Sequence, residues 1–322
     1  MEISVSTNSF QLAQVFTISR GSRTQADVLT VNVARGAHRG WGECVPYARY
    51  GETMESVAAQ VKGLPRLFDR DDLMTLLPAG AARNAVDCAL WDLEAKEASR
   101  PVWDLAGLSA PKPEITAYTL SLGTPEAMNA QAAKNAFRPL LKTKLGGGEE
   151  DVDRIRAVRA GALDARIIVD ANEGWTAELY QTLAPVLVDL GVEMVEQPLP
   201  ANDDDALLTL ERVLPVCADE SCHDRASLAG LQGKYDMINI KLDKTGGLTE
   251  ALKLKQAAVD MGFEVMVGCM VGSSLAMAPA VLVAQGVAVV DLDGPLLLGE
   301  DRSNKLFYDA AGVHPAGPEL WG

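Results

Sequence analysis

Zinc-type ligands are scarce in this chain. Its 322 residues include five cysteines (Cys44, Cys88, Cys217, Cys222, Cys269) and three histidines (His38, His223, His314). No C-x-x-C pair occurs and the histidines form no ligand pair, which argues against a zinc site. The cysteines are odd in number and scattered, as expected of reduced, mostly buried thiols in a cytoplasmic protein. The N-terminus, Met1-Glu2-Ile3-Ser4, has neither the basic start nor the apolar core of a secretory signal. The longest apolar stretch, 275–290, is interrupted by Pro279, Gln285 and Gly286 and is too short to span a bilayer. Gly146-Gly147-Gly148 and Gly246-Gly247 fit neither a P-loop nor a dinucleotide fingerprint, and read as tight turns. Positive charge is in deficit, with a net charge of −15. Such a surface repels nucleic-acid phosphates and anionic lipids, so neither is an expected partner. It leaves room for a small anionic substrate, because a metal and nearby lysines dominate the field inside a pocket.

What is present is an ordinary globular composition, 48% apolar and 23% charged. In the first third, Val28 to Val33 is β-branched and partly alternating. A Gly-rich turn (35–40) and Trp41-Gly42-Glu43 follow it, which suits a hairpin. Helical spacing runs over 53–67 and again over 81–98, where Ala82, Val86, Ala89, Leu90 and Leu93 share a face. Strands followed by helices indicate an α+β unit. The stretch 101–113 holds Pro101, Pro111, Pro113 and Gly107, and sets a boundary. We therefore expect an α+β capping domain over 1–112, joined again by the C-terminal segment 300–322, and a second domain over 113–299.

In that second domain, apolar strands alternate with helix-length segments. The strands read as 115–122, 140–144, 166–170, 192–196, 216–219, 237–241, 264–268 and 287–291. Repeated βα units of this kind close into a barrel. Lys144, Asp170, Glu196, Asp219, Lys241 and Asp291 each end an apolar run, and they recur at intervals of about one βα unit, or two between Lys241 and Asp291. They therefore share one structural position, the C-terminal mouth of the barrel, where active sites of this fold lie.

Asp170, Glu196 and Asp219 end three consecutive strands. Each alone reads equally as a strand-end acid or a helix cap. Together they repel one another unless a cation sits between them, and an all-carboxylate set favours Mg²⁺, with Mn²⁺ as an alternative. Lys142 and Lys144 are two apart on a strand, so both face the barrel interior or its mouth. Near a divalent cation and a second lysine, the Lys144 pKa should fall toward the range of a general base. Lys241 ends the sixth barrel strand, half-way round from Lys144. Two amines flanking one carbon suit deprotonation on one face and reprotonation on the other. Asp291 and Asp293 either hold a substrate ammonium or form a strand-end turn, since Asp293-Gly294-Pro295 is turn chemistry.

These residues resemble the enolase superfamily, muconate-lactonizing subgroup. The resemblance rests on Lys142-Thr143-Lys144, Asp170-Ala171-Asn172, Glu196-Gln197-Pro198, Asp219-Glu220-Ser221, Asn239-Ile240-Lys241 and Asp291-Leu292-Asp293-Gly294-Pro295. Arg20-Gly21-Ser22-Arg23-Thr24, Gly42 to Tyr47 and Leu77 to Asn84 extend it through the first domain. Within the subgroup the chain is most similar to dipeptide epimerases, those of L-Ala-D/L-Glu in particular. The resemblance implies an α/β fold, a modified TIM barrel of (β/α)₇β type under an N-terminal α+β cap. It implies a metal on Asp170, Glu196 and Asp219, and Lys144 and Lys241 as acid/base groups in a 1,1-proton transfer through an enediolate. It places Lys142 near the substrate carboxylate, Asp291 and Asp293 on the dipeptide ammonium, and Arg23 and Thr24 in a loop over the second side chain. Murein peptide recycling in the cytoplasm is the implied setting, and a homo-oligomer is compatible with the sequence. The readings kept beside it are o-succinylbenzoate synthesis, N-acylamino acid racemisation, cycloisomerisation, and a non-catalytic barrel that only binds.

Overall fold

The computed structural model describes residues 1–322. The chain begins with three antiparallel strands, β1 (Glu2–Ile18), β2 (Gly21–Arg35) and β3 (His38–Cys44), in the order β1-β2-β3. The sequence reading left β1 without an element, and its burial shows why. None of its residues is fully buried, and its alternating apolar residues, Ile3 and Val5 against the core and then Phe10 and Leu12, are only partly covered. On β2, Val28, Leu29, Val31 and Val33 are all fully buried. Helices α1 (Met54–Lys62) and α2 (Arg70–Leu76) each begin with a capping box, Thr53 with Ser56 and Asp69 with Asp72. These reciprocal bonds satisfy otherwise orphaned backbone donors. Helix α1 stops at Gly63, short of the expected residue 67.

Helix α3 (Ala81–Ala98) is buried along almost its whole length because it lies between the sheet and the rest of the molecule. Its close approach to β3 depends on two glycines. A Cβ on Gly40 would sit 2.0 Å from the Ala89 carbonyl oxygen, and one on Gly42 2.1 Å from that of Ala85. The opposite face of α3 is polar and fully engaged. Arg83 donates to the Thr245 carbonyl (2.7 Å) and Asn84 to Asp243 (2.9 Å). Asp87 accepts from the Thr249 amide and hydroxyl at 2.9 and 2.6 Å. Burial pushes the Asp87 carboxyl up to about 6.

After the short helix α4 (Val102–Leu105) the chain enters an eight-stranded sheet. Its strands are β4 (Tyr118–Leu120), β5 (Leu140–Lys144), β6 (Arg166–Asp170), β7 (Val192–Glu196), β8 (Val216–Ala218), β9 (Met237–Ile240), β10 (Glu264–Gly268) and β11 (Val289–Asp291). All neighbouring pairs are parallel. A bridge between Thr116 and Val290, with Ala117 donating to the Val290 carbonyl at 2.8 Å, closes the sheet into a barrel. The first strand is shorter than expected because its flanks pair elsewhere: Glu114 with Val313, and Leu122 with the Thr17 carbonyl.

The connections run through α5 (Pro125–Lys134), α6 (Asp151–Gly161) and α7 (Ala177–Asp189), then α8 (Leu228–Leu231), α9 (Leu242–Thr245), α10 (Leu248–Asp260) and α11 (Ser274–Val283). Not every connection is helix-length. Only a 3₁₀ turn (Asp205–Leu208) follows β7, where Pro198, Pro200 and a run of turn-forming Asn and Asp interrupt the chain, and α8 is a single turn. A 3₁₀ turn (Gly294–Leu297) follows β11. The C-terminal segment carries a small hairpin, β12 (Tyr308–Asp309) with β13 (Gly312–Val313). It then returns to α3, where the Trp321 indole donates to the Cys88 carbonyl at 3.0 Å.

The two-residue period of the strands decides what fills the barrel. One residue per strand forms an inner apolar layer: Ala117, Leu140, Ile168, Met194, Cys217, Met237, Met266 and Val289. The outward residues between them, such as Leu141, Val169 and Ile238, pack under the helices in the main core. Two positions beyond the inner layer the interior turns polar, with Lys142, Asp170, Glu196, Asp219, Asn239 and Asp291. Replacing Gly42 with valine is expected to push α3 off β3 and lower stability by about 2 kcal/mol or more. A urea midpoint equal to the parent's would contradict this packing account.

Candidate active site

Asp170, Glu196 and Asp219 converge at the mouth, each buried, with one oxygen of each within 4.8 Å of the others. Their backbone surroundings are strained. Asn172, Glu173 and Gln197, just past the first two acids, have φ of 46°, 65° and 36°, and such strain clusters where the surrounding structure over-determines it. Gln197 fixes the third acid: its Oε1 accepts from the Asp219 and Ser221 amides at 2.9 and 3.1 Å. Asn239 donates to Glu196 Oε1 at 2.7 Å.

Four lysines interleave with these acids. Lys142 Nζ lies 2.5 Å from Glu196 Oε2, 2.8 Å from Asp291 Oδ2 and 3.3 Å from Asp170 Oδ2. Lys144 pairs with Asp170 Oδ2 at 2.5 Å and Lys241 with Asp219 Oδ2 at 2.6 Å. Lys244 donates to Asp219 Oδ1 and to the Asp219 and Asn239 carbonyls. Burial alone would lower the Lys142 pKa, but the Asp291, Glu196 and Asp170 carboxylates carry it well above the ordinary amine value. Lys241 is raised in the same way, chiefly by Asp219 after the opposing effect of burial. Burial works to raise Asp219, yet Lys241 and Lys244 hold it well below the carboxylate range. Glu196 goes the other way, pushed up by burial and by Asp170.

This donor set suits a hard divalent cation. It is all oxygen, fully buried and converging, and Glu196 Oε2 has no well-aligned hydrogen bond despite the ammonium beside it. A cation bound there would draw the carboxylate field away from the lysines and let their pKa values fall.

The cavity above holds about 210 Å³. Lys142, Lys144, Asp219, Lys241, Asp291 and Asp293 line it from the barrel, and Phe16, Ile18, Arg20, Arg23, Tyr47 and Tyr50 from the cap. Asp170 and Glu196 lie beneath it. Asp291 keeps an unpartnered buried oxygen, Oδ1, and Asp293 Oδ2 accepts from the Thr119 amide at 2.6 Å. Burial and Asp291 raise the Asp293 pKa. The Arg23 side chain has no ion pair and sits 5.4 Å over the Tyr47 ring. Thr24, beside it, is exposed and outside the lining. His223 packs edge-on against Tyr50, ring centroids 4.9 Å apart, and does not reach the cavity lining.

Sequence reasoning gave no role to Lys244, Asn239, Gln197 or Arg20. Lys244 sits in a turn after the strand and Arg20 at a hairpin tip, where no periodicity marks them. Asn239 and Gln197 lie beside recognised residues, and only their neighbours' chemistry drew notice.

The family model described as the mandelate racemase / muconate lactonizing enzyme N-terminal domain matches residues 1–107, and that described as enolase C-terminal domain-like matches residues 126–298. The chain belongs to the enolase superfamily. Among superfamily relatives, an L-Ala-D/L-Glu epimerase of Escherichia coli (strain K12) is 46% identical, over 97% of this chain and 99% of its own. An N-acetyl-D-glutamate racemase of Pseudoalteromonas is 44% identical, over 92% and 95%. The crystal structure of an enolase family member from Agrobacterium tumefaciens, with homology to dipeptide epimerases and with bound sodium and L-Ala-L-Glu, superposes at a TM-score of 0.95, with 52% identity and 99% of both chains covered. A dipeptide epimerase from Cytophaga hutchinsonii, complexed with Mg and D-Ala-L-Val, superposes at 0.90, with 28% identity over 98% of this chain and 94% of its own.

Lys244 is the most enclosed cation of this site, with no exposed side-chain surface. Lys244→Met is expected to cost about 3 kcal/mol or more, since breaking a buried pair strands its partner charge. Urea unfolding measures this, and an unchanged midpoint would show that Asp219 needs no second ammonium.

Proposed function

We propose that this superfamily member is an epimerase of dipeptides, acting on the second residue of L-Ala-D/L-Glu with Lys144 and Lys241 as the two acid/base groups. One observation carries the reading. Two buried lysines open into one cavity from barrel strands β5 and β9, with β6, β7 and β8 between them, and each is paired to a different acid of the triad. An α-carbon held between them loses its proton to one amine and gains one from the other on the opposite face. A carbon acid beside a carboxylate is very weak, so positive charge must already be in place when the proton leaves. Asp170, Glu196 and Asp219 would hold Mg²⁺, or Mn²⁺, and that cation would supply charge to the substrate carboxylate. Lys142, already a partner of Asp170 and Glu196, adds to it.

The same reading assigns the rest of the cavity. Asp291 and Asp293 suit a dipeptide's α-ammonium, as two buried acids with an unpartnered oxygen between them. Arg23, the lining guanidinium without an acid partner, suits the glutamate side chain, and the loop 20–24 would lie over it. The division into a cap (1–112, with 300–322) and a barrel (113–299) belongs to this proposal. A cytoplasmic setting fits the five free cysteines, and murein turnover as the source of substrate is part of the same proposal. Racemisation of an N-acylated glutamate is the second reading, favoured by the Pseudoalteromonas relative. Asp291 and Asp293 weigh against it, because such a substrate brings no ammonium.

Incubation with Mg²⁺ and L,L dipeptides in deuterium oxide, read by mass spectrometry, tests the choice. L-Ala-L-Glu should gain one deuterium and N-acetylglutamate much less. Exchange confined to N-acetylglutamate selects the second reading, and exchange in neither rejects both. In the same assay Arg23→Met should lower kcat/KM for L-Ala-L-Glu by roughly 10- to 100-fold, the worth of a charged hydrogen bond, and leave L-Ala-L-Leu unaffected. Equal losses on both substrates would take Arg23 out of substrate recognition.

A further inference from the structure

We infer that Asp151, the first residue of α6, is a positioning residue for Lys144, locking the turn after β5 against the loop after β6. The inference rests on the two-base reading above and names the part of the chain that aims one of the bases. Asp151 has no exposed surface, and its carboxylate serves four donors. Oδ1 accepts from the Gly146 amide and from Arg154 Nη1, each at 2.9 Å. Oδ2 accepts from the Gly147 amide and from the Trp175 indole, each at 3.0 Å. Gly146 and Gly147 come two and three residues after Lys144, and Trp175 five after Asp170. One side chain therefore holds two neighbouring loops of the barrel mouth.

The loops meet closely where it holds them. Gly147 has a φ of 85°, and a Cβ there would lie 2.4 Å from the Gly174 carbonyl oxygen. The Gly146-Gly147 pair thus lets backbone touch backbone while both amides point at Asp151. Trp175 is a firm anchor, with its ring buried and its amide donating to the Pro198 carbonyl at 2.9 Å. Arg154 adds a third loop, since its Nε donates to the Gly123 carbonyl after β4 at 3.1 Å.

These anchors bear on Lys144 more than on Lys241. Lys144 is the last residue of β5, paired in the ladder with Asp170, and its ammonium is tied to Asp170 as well. With Asp170 engaged by a cation that ammonium tie loosens, and the aim of the amine then depends on where its main chain is held. The turn after Lys241, α9, is held instead from the cap, where Arg83 donates to the Thr245 and Gly246 carbonyls. Loosening the Asp151 lock should therefore disturb one base and spare the other. A displacement of about 1 Å in a reacting group can cost on the order of 100-fold in rate.

Asp151→Asn keeps the size of the side chain but sets an NH₂ group, which accepts nothing, against one pair of donors. Trp175→Phe keeps a buried ring and removes only the bond between the two loops. Exchange of the α-proton in deuterium oxide with Mg²⁺, starting separately from L-Ala-L-Glu and L-Ala-D-Glu, reads the two bases apart. The epimer that Lys144 deprotonates is the one that Lys144→Ala fails to exchange. Asp151→Asn should exchange that epimer roughly 10- to 100-fold more slowly than the parent and the other at close to the parental rate. Trp175→Phe should shift the ratio the same way by a smaller factor. An equal fall for both epimers, as a loss of folded protein gives, would overturn the inference, as would a parental ratio in both variants. Amide hydrogen exchange of the substrate-free variants should rise over 145–151 and 171–176 and stay parental over 237–245. Parental protection over 145–151 would also overturn the inference, whatever the substrate. A parent protein that exchanges neither epimer would instead overturn the two-base reading.

Discussion

Three carboxylates buried at one barrel mouth repel one another, and the rest of the site is arranged around that repulsion. Two like charges about 4 Å apart cost about 4 kcal/mol at an effective dielectric of 20, and burial adds a desolvation penalty to each. Four lysines answer this. Lys142 touches two acids of the triad and Asp291, Lys144 takes Asp170, and Lys241 and Lys244 take the two oxygens of Asp219. Under the proposed function, a cation held by the triad would supply that charge, and Lys144 and Lys241, which balance the bare site, would then be free to serve the substrate. Lys244 differs from them, because its contacts with two main-chain carbonyls hold it at Asp219.

The fold delivers this arrangement through the two-residue period of its strands. Leu140, Lys142 and Lys144 share the inner face of β5, as Met194 and Glu196 do on β7 and Cys217 and Asp219 at the end of β8. An apolar layer seals the barrel below, so charge is confined to its mouth. The cap completes the cavity from above and is held by polar contacts of α3 and by the buried Glu43, which accepts from the Ser273 amide and pairs with Arg302. Arg20 and Arg49 bring the cap's loops onto Glu173 and Glu220 at the mouth.

Much of this was legible in the residues, for physical reasons. Barrel strands bury both faces, so each reads as an apolar run ended by a polar residue, and seven of the eight came within two residues of their observed ends. Helix α3, expected over about 81–98, spans Ala81–Ala98. Strand β1 was not legible, because it is half-exposed throughout and depends on β2 for its conformation. Helix α2 is too short for its periodicity to stand out. The triad acids and the lysines Lys142, Lys144 and Lys241 were visible as interruptions of apolar runs. Lys244, Arg20 and Asn239 were not, since their roles arise only when segments distant in sequence meet.

The central claim is that Lys144 and Lys241 serve opposite faces of one carbon. Exchange of the α-proton in deuterium oxide by Lys144→Ala and Lys241→Ala, starting separately from L-Ala-L-Glu and L-Ala-D-Glu, tests it most directly. The account predicts that neither variant interconverts the epimers, and that any residual exchange in the two variants falls on opposite epimers. Epimerisation at the parental rate by either variant, or exchange of the same epimer by both, would contradict it.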